Sequence, residues 1–505
     1  MERKRQFVDS ELLAHAMLGQ KRASVLMSDA YKFSMAQVSS PLRQESFYLS
    51  FRRPGWYYIP FDINELVRCL LPVASTKQDD LILSSFGLSM SVAMRQALQS
   101  EVSVNAAPAG SWVCAREPIV SITGPSFLVS WLEAMCIWMN FPIQVATEAL
   151  AGKDEFVVSC EDEATIVRLV LDSLPPRPNV RVRIGEQEFS DAVLCNALDL
   201  QAALSSNSND ESSRVFEVGM RGATCMSMHR LALASVKRAG IFKTSNVALA
   251  HELGMSAVGS TGHEHQMRFG EDRSGFRAIR DGRTGVPSYL FDTYDAIELG
   301  IPAAIDVWRE SPDIGASVRF DSGDTEMQLR MFVEAGVQPH FIFMDGMNAT
   351  RIEELEALCN ELGIPEERRS YGVGGFLGCS LLTHSLSRNR VSAVYKLSQS
   401  GEEPVMKFSK EGKQSLPGKV QVMRKIRGDG PVSIIAQVGE EVDNDYTLLK
   451  NWSVGPLATM PLGPAPIASS LTQKKIDVLR SRYFTHTQNN TNQKGIEHEH
   501  TITNH

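Results

Sequence analysis

Hydrophobic and polar positions along this chain fall into two rhythms. From residue 215 onward, short apolar runs recur at near-regular intervals: Val215–Val218, Ser256–Gly259, Ser288–Phe291, Ser317–Phe320, His340–Met344 and Ser370–Val373. Stretches with helical spacing lie between them, such as Leu231–Arg238, Thr325–Ala335 and Ile352–Leu362. Strands alternating with helices predict a parallel βα barrel or sheet, whose chemistry gathers at the C-terminal strand ends. The flanking segments read differently. Glu45–Arg53 alternates as a strand that ends in two arginines, Phe61–Leu71 and Leu81–Ser100 have helical spacing, and Gly110–Thr123 carries short β-like runs. Ser28 or Asp29 is placed to cap a short helix carrying Tyr31. Beyond residue 390, Val391–Leu397, Pro404–Phe408, Lys419–Met423 and Ser433–Gln437 alternate as strands.

These rhythms divide the chain into a flexible lead-in (1–25), an N-terminal α+β domain (26–150) and an insertion or linker (151–213). An α/β barrel with the active site (214–390), a β-rich part packing on the N-terminal domain (391–484) and a disordered tail (485–505) complete it. Within the linker, Glu161 to Glu163 form an acidic patch and Ser205 to Ser213 a polar run.

Composition narrows the class. The 505 residues are 43% hydrophobic and 22% charged, the profile of a soluble globular protein with a large core. A net charge of −8 leaves no general nucleic-acid footprint. The eight cysteines are scattered without a Cys-x-x-Cys pair, which suits reduced thiols in a cytoplasmic protein. The charged start MERKRQFVDSELL has no apolar core of a secretory signal. The most apolar stretch, Phe127 to Val145, is interrupted by Glu133, Asn140 and Pro142, so a buried helix is expected there and no membrane span.

Chemistry concentrates where the alternation predicts it. At or just past successive strands stand Glu217 with Arg221, His263-Glu264, Asp292 with Asp295, Asp321 with Asp324, Asp345-Gly346, and Gly372-Val-Gly-Gly375; Arg319 lies on the strand ending at Asp321. The stretch Gly259-Ser-Thr-Gly-His-Glu-His265 presents its histidines on a loop beyond a strand, where an imidazole can act as base, nucleophile or metal ligand. The two aspartate pairs suit ribose hydroxyls or a Mg²⁺ ion carrying phosphates. Gly372-Val-Gly-Gly375, opening onto the helical-looking Phe376 to His384, offers backbone amides to a phosphate. No Gly-x-x-x-x-Gly-Lys-Ser/Thr motif occurs, which excludes a P-loop NTPase. The residues alone therefore point to a phosphorylated sugar with Mg²⁺ near a histidine.

An ordered set of motifs goes further. Ser28-Asp-Ala-Tyr-Lys32, Glu217-x-Gly-x-Arg221, Thr244-Ser-Asn246, Gly259-x-x-x-His-Glu264, Asp292-Thr-Tyr-Asp295, Arg319-x-Asp-Ser-Gly-Asp324, Asp345-Gly346, Gly372-Val-Gly374 and Leu416-Pro-Gly418-x-x-Gln421 resemble, in order, nicotinate phosphoribosyltransferases. Glu117-Pro-Ile, Gly124-Pro, Glu133, Asn140-Phe and Ala146-Thr147 resemble that family's N-terminal part. The resemblance covers roughly residues 26–150 and 215–425. It implies an α/β fold: an irregular parallel βα barrel of the type II phosphoribosyltransferase kind, with an α+β domain formed by N- and C-terminal segments. It also implies a homodimer with a shared active site that makes nicotinate mononucleotide and pyrophosphate from nicotinate and phosphoribosyl pyrophosphate, with ATP hydrolysis and Mg²⁺.

By that resemblance His263 is the histidine that ATP phosphorylates, with Glu264 or a carboxylate from another strand orienting its ring. Asp321 and Asp324 hold ribose or Mg²⁺, with Asp292 beside them. Gly372, Gly374, Gly375, Asp345 and Gly346 surround the 5′-phosphate region. Arg221 and Arg319 balance phosphate, pyrophosphate or the nicotinate carboxylate, and Tyr31 stacks on the pyridine ring from the partner subunit. Some positions depart from the pattern. Val218 replaces an aromatic, while Gly222 and Gly375 resemble the nicotinamide branch. Ser245 stands where nicotinamide enzymes read the amide with Asp; Ser can donate to a nicotinate carboxylate. The alternatives are a nicotinamide enzyme and a nucleotide-binding member that has lost turnover. Residues 151–213 and His265 receive no role.

Overall fold

The computed structural model describes residues 7–482, except 73, 178, 205–213, 379–385, 409–413, 428–429, 444 and 452–464. The polar run 205–213, the helical reading over 379–384 and the tail 485–505 lie outside the described residues.

Seven strands form one all-parallel sheet, in the order Ser256–Ala257, Lys243–Thr244, Val215–Glu217, Arg369–Val373, His340–Phe343, Ser317–Phe320 and Ser288–Leu290. Except at one joint, strands adjacent in sequence are adjacent in space, and the last pairs with the first, Tyr371 opposite Val215. That is the order of a barrel opened at one joint, between Ser256–Ala257 and Ser288–Leu290, where no ladder runs among the described residues. Side chains span the joint instead. Thr261 Oγ1 donates to the Ser288 carbonyl at 3.0 Å. Arg319 donates to the Thr261 carbonyl at 2.7 Å and to Ser260 Oγ at 3.0 Å. The barrel is thus irregular, as expected. Helices cover the outside of the sheet, and Phe291, Phe320, Phe332, Phe341 and Phe343 interlock between layers, ring centres 5.0 to 6.1 Å apart.

A second, antiparallel sheet joins the two ends of the chain. Its order is Glu403–Pro404, Ala393–Ser400, Gln44–Phe51, Val120–Pro125 and Ser103–Ala106. Gln44–Phe51 therefore pairs with a strand some 350 residues later, Tyr48 opposite Lys396. This α+β domain draws on N- and C-terminal segments. Phe127–Val145 is buried as expected, but as three helices, Ser126–Trp131, Glu133–Trp138 and Asn140–Leu150. Leu81–Ser100 also divides, into Lys77–Ser85 and Val92–Leu98, since Gly87 turns the chain at φ +69°.

Two expectations are corrected. The lead-in is not loose from residue 8: Val8 bridges Phe61, and Asp9 caps helix Ser10–Leu18, whose Leu13 and Met17 are fully buried. Nor is 151–204 a linker. It folds as strand Glu155–Val158, helix Glu161–Ser173, strand Arg181–Ile184 and helix Glu186–Ala203. The acidic patch forms the first turn of its first helix, where the dipole favours carboxylates. From there Glu163 accepts from Thr224 and Asp162 from Ser227, fastening the unit to the barrel helix Met226–Arg238. Among the described residues no helix is long and apolar enough to cross a membrane.

Candidate active site

The C-terminal mouth of the barrel faces the α+β domain across a cavity of about 790 Å³. The barrel contributes Val218, Arg221, His263, Arg319, Asp321, Asp345-Gly346 and Gly372 with Gly374-Gly375. The other domain contributes Tyr31, Arg52, Arg53, Glu133, Arg388, Lys396 and Lys407. Most of the charge from that second wall is positive, which suits a ligand rich in phosphate.

His263 starts helix His263–Phe269, with Gly262 as its cap, rather than lying on a loop. The glycines before it allow a close pass against the helix of Tyr31. A Cβ on Gly259 would stand 2.6 Å from the Tyr31 backbone nitrogen, and one on Gly262 3.2 Å from its ring. The imidazole is held on several sides. Nδ1 lies 3.1 Å from Thr293 Oγ1 and 3.7 Å from Asp292; Nε2 lies 3.2 Å from Asp321 and 2.8 Å from Lys407 Nζ. Burial and the adjacent Lys407 cation push its pKa down to about 4, against the pull of Asp292 and Asp321. The ring is therefore neutral at pH 7, with a nitrogen lone pair available.

Glu264 does not orient that ring. Successive helical residues point about 100° apart, so the carboxylate turns away from His263. It accepts from Lys32 at 3.1 Å and Ser130 at 2.5 Å, with Arg268 at 3.6 Å. The carboxylates on His263 come from other strands, Asp292 and Asp321. His265 is buried, its Nε2 2.8 Å from the Gly275 carbonyl and its ring against Phe269.

The two aspartate pairs separate by role. Asp295 accepts from the backbone of Ile297 and Glu298, and Asp324 from that of Met327, each at 3.1 Å; both are helix caps. Asp324 is exposed and does not line the cavity. The pairing of Asp321 with Asp324 on one metal is corrected accordingly. Ligand atoms of His263, Asp292 and Asp321 lie within 4.8 Å of one another. Asp292 also pairs with Lys407 at 2.9 Å. Arg319 donates to Asp321 at 2.5 Å. Against burial, that guanidinium first holds the Asp321 carboxyl well below its ordinary range. Spent on Asp321 and on the barrel joint, Arg319 is a positioning group more than a ligand contact.

Arg221 lies within the 3-10 turn Met220–Gly222, which Glu217 underpins by accepting from Gly219 N–H and from Thr244 at 2.6 Å. Its guanidinium lies 3.3 Å from Glu133. Tyr31 enters the cavity from this same chain, donating its phenol to Glu133 at 2.7 Å. Ser245 is buried beside Asp29 and does not line the cavity. Asp345 and Gly346 both take positive φ, 65° and 66°, and are exposed at a strand end. Gly372 lies against Met344 and Phe216, and Gly374 against the Val218 carbonyl, so any Cβ there would crowd the mouth.

Sequence reasoning missed Lys407, Lys396, Thr293 and Arg388. Lys407 lies in a run read only as an alternating strand, 144 residues from His263, and no local signal joins the two. Burial, Lys407 and Arg52 push the Lys396 ammonium down to about 7. Glu133 and the Arg52-Arg53 pair were visible in the sequence but carried no role.

Residues 213–429 match the model of the Nicotinate phosphoribosyltransferase (NAPRTase) family, so the resemblance drawn from the motifs holds over the barrel. No curated protein sequence matches the chain. Among solved structures, nicotinate phosphoribosyltransferase from Porphyromonas gingivalis superposes with a TM-score of 0.55 at 18% identity, covering 78% of this chain and 95% of its own. The Vibrio cholerae nicotinate phosphoribosyltransferase gives 0.56 at 18% identity, with 79% and 92% covered. At these identities the likeness shows the fold, that of the type II phosphoribosyltransferases.

Proposed function

We propose that this chain is a nicotinate phosphoribosyltransferase, joining nicotinate to phosphoribosyl pyrophosphate with release of pyrophosphate. The observation that supports it best is the neutral His263, set between Asp292, Asp321 and Lys407 in a cavity with a basic wall. In this reading Nε2 of His263 attacks the γ-phosphorus of ATP, ADP leaves, and Lys407 lies close enough to meet the charge of the phosphoryl group. The neutral ring carries its one hydrogen on Nδ1, which donates to Thr293 Oγ1 and holds the ring plane, so that Nε2, facing Lys407, keeps its lone pair. Asp292 and Asp321 would hold Mg²⁺, since their carboxylates lie with His263 within 4.8 Å of one another and Asp321 lines the cavity. The ion's part is to neutralise phosphate charge. The 5′-phosphate would lie on the amides of Asp345-Gly346 and Gly374-Gly375, and pyrophosphate toward Arg52, Arg388 and Lys396. At C1 of the ribose an oxocarbenium-like centre develops beside the Asp321 carboxylate, which stabilises it. Tyr31 would stack on the pyridine and Arg221 face its carboxylate.

Gly222 and Gly375 line the same cavity and favour nicotinamide as the second reading. Turnover with each pyridine separately decides between them, and no turnover with either refutes the enzyme reading. His263→Ala should keep pyridine binding and weak ATP-independent turnover while losing coupled ATP hydrolysis. Coupled hydrolysis that survives this change refutes the phosphohistidine.

A further inference from the structure

Three donors converge on one carboxylate that the chemistry above leaves unused. Glu133 opens helix Glu133–Trp138 and is buried, with its carboxylate at the cavity wall. Its Oε2 accepts from the Tyr31 phenol and from Lys32 Nζ, each at 2.7 Å, and its Oε1 from Arg221 at 3.3 Å. Lys32 is itself held by Glu264 at 3.1 Å, Glu264 lies 3.6 Å from Arg268, and Arg268 donates to Glu45 at 2.9 Å. The result is a buried file of alternating charge, Glu45, Arg268, Glu264, Lys32, Glu133, Arg221, running from the central strand of the α+β domain to the mouth of the barrel. Such a file fixes its last carboxylate from behind, because moving it would leave Lys32 a buried charge short of a partner.

Tyr31 and Arg221 belong to different halves of the molecule. Tyr31 stands in the first turn of helix Ala30–Val38, Arg221 on the turn after a barrel strand. Glu133 hydrogen-bonds to both and ties them together. We infer that Glu133 is a positioning residue for the pyridine: it sets the Tyr31 ring and the Arg221 guanidinium at a fixed mutual distance, and so defines the slot that receives the base. This rests on the phosphoribosyltransferase reading above. Glu133 itself touches no reacting atom.

The test compares Glu133→Gln, Glu133→Asp and Tyr31→Phe with the wild-type full chain. Glu133→Gln removes the charge at constant size, and Tyr31→Phe removes only the phenolic donor, leaving every charge in place. Expected for Glu133→Gln is a rise of about tenfold in KM and in calorimetric Kd for the pyridine, the loss of charge-assisted hydrogen bonds. KM for phosphoribosyl pyrophosphate should stay within about twofold, a split that general structural damage would not produce. Tyr31→Phe should raise the pyridine KM about threefold with an unchanged melting temperature. Glu133→Asp keeps the charge on a shorter arm, so it should recover the melting temperature more than the pyridine KM. The inference is overturned if Glu133→Gln and Tyr31→Phe both leave pyridine KM and Kd unchanged. It is also overturned if KM rises equally for both substrates. Failure of the wild type to turn over either pyridine refutes the enzyme reading, and the calorimetric Kd then decides the role of Glu133 separately. If the wild type binds neither pyridine, both fall.

Discussion

Lys407 Nζ lies 2.8 Å from Nε2 of His263, although 144 residues of chain separate the two. The lysine does two things there. It donates to the ring, and its charge keeps the ring from taking a proton. Lys407→Met should therefore let the His263 pKa rise. In the wild type, ATP coupling should persist down to about pH 5, since the ring stays neutral until near its depressed pKa. In the variant, the acid limb of the coupled rate should move upward by about one pH unit. A pH profile of ATP hydrolysis coupled to turnover reads the shift. An unmoved acid limb would refute the electrostatic role.

Asp321 and Asp324 stand three residues apart and should answer differently to removal. Asp321→Asn should lower kcat on the order of 100-fold, because the residue holds His263 and lines the cavity. Asp324→Ala should leave kcat within about twofold and cost about 1 kcal/mol of stability through the lost helix cap. Steady-state kinetics and denaturant unfolding on both variants separate the two roles.

Lys396 faces the phosphate side of the cavity with a pKa near neutrality, about 7. At pH 8 most of it is uncharged in the free protein. A polyanion bound beside it raises its proton affinity, so binding should take up a proton. Calorimetry of pyrophosphate binding at pH 8 in two buffers of different ionisation enthalpy measures that uptake. Lys396→Arg, always charged, should abolish it.

His265 carries its burial as a liability in acid. Its pKa falls from the ordinary 6.5 to about 4, mainly by burial. The fold thus binds fewer protons there than the unfolded chain, and its stability is full above pH 6.5 and lost as pH falls toward 4. His265→Phe should remove that loss, at most about 1.4 kcal/mol per pH unit. The melting temperature of the variant relative to wild type should rise as pH drops from about 7 to about 5. A constant difference over that range would count against the assignment.

Much of the barrel was legible because strand and helix periods differ and the strands come in sequence order. Five of the expected strands recur within a residue or so, while Lys243–Thr244 is too short to show a period. The site was less legible, for a chemical reason. Asp and Asn serve equally as ligands and as helix caps, and a helix begins just after most of these strands. Asp321 lines the cavity and Asp292 packs beside His263, while Asp295 and Asp324 cap, and spacing alone does not tell them apart. Glu264 misled in a related way: adjacency in sequence suggested contact with His263, and the helix turned the two apart. Lys396 arrives on strand Ala393–Ser400 and Lys407 from the segment just past Glu403–Pro404, both far along the chain, so only the folded molecule brings them in.

The open joint of the barrel lies directly under the histidine. Elsewhere neighbouring strands are laced by their backbones, but here Arg319, Ser260 and Thr261 act as a clasp of side chains. The same guanidinium that clasps the joint also donates to Asp321 at 2.5 Å, so the carboxylate beside His263 and the closure of the barrel wall depend on one side chain.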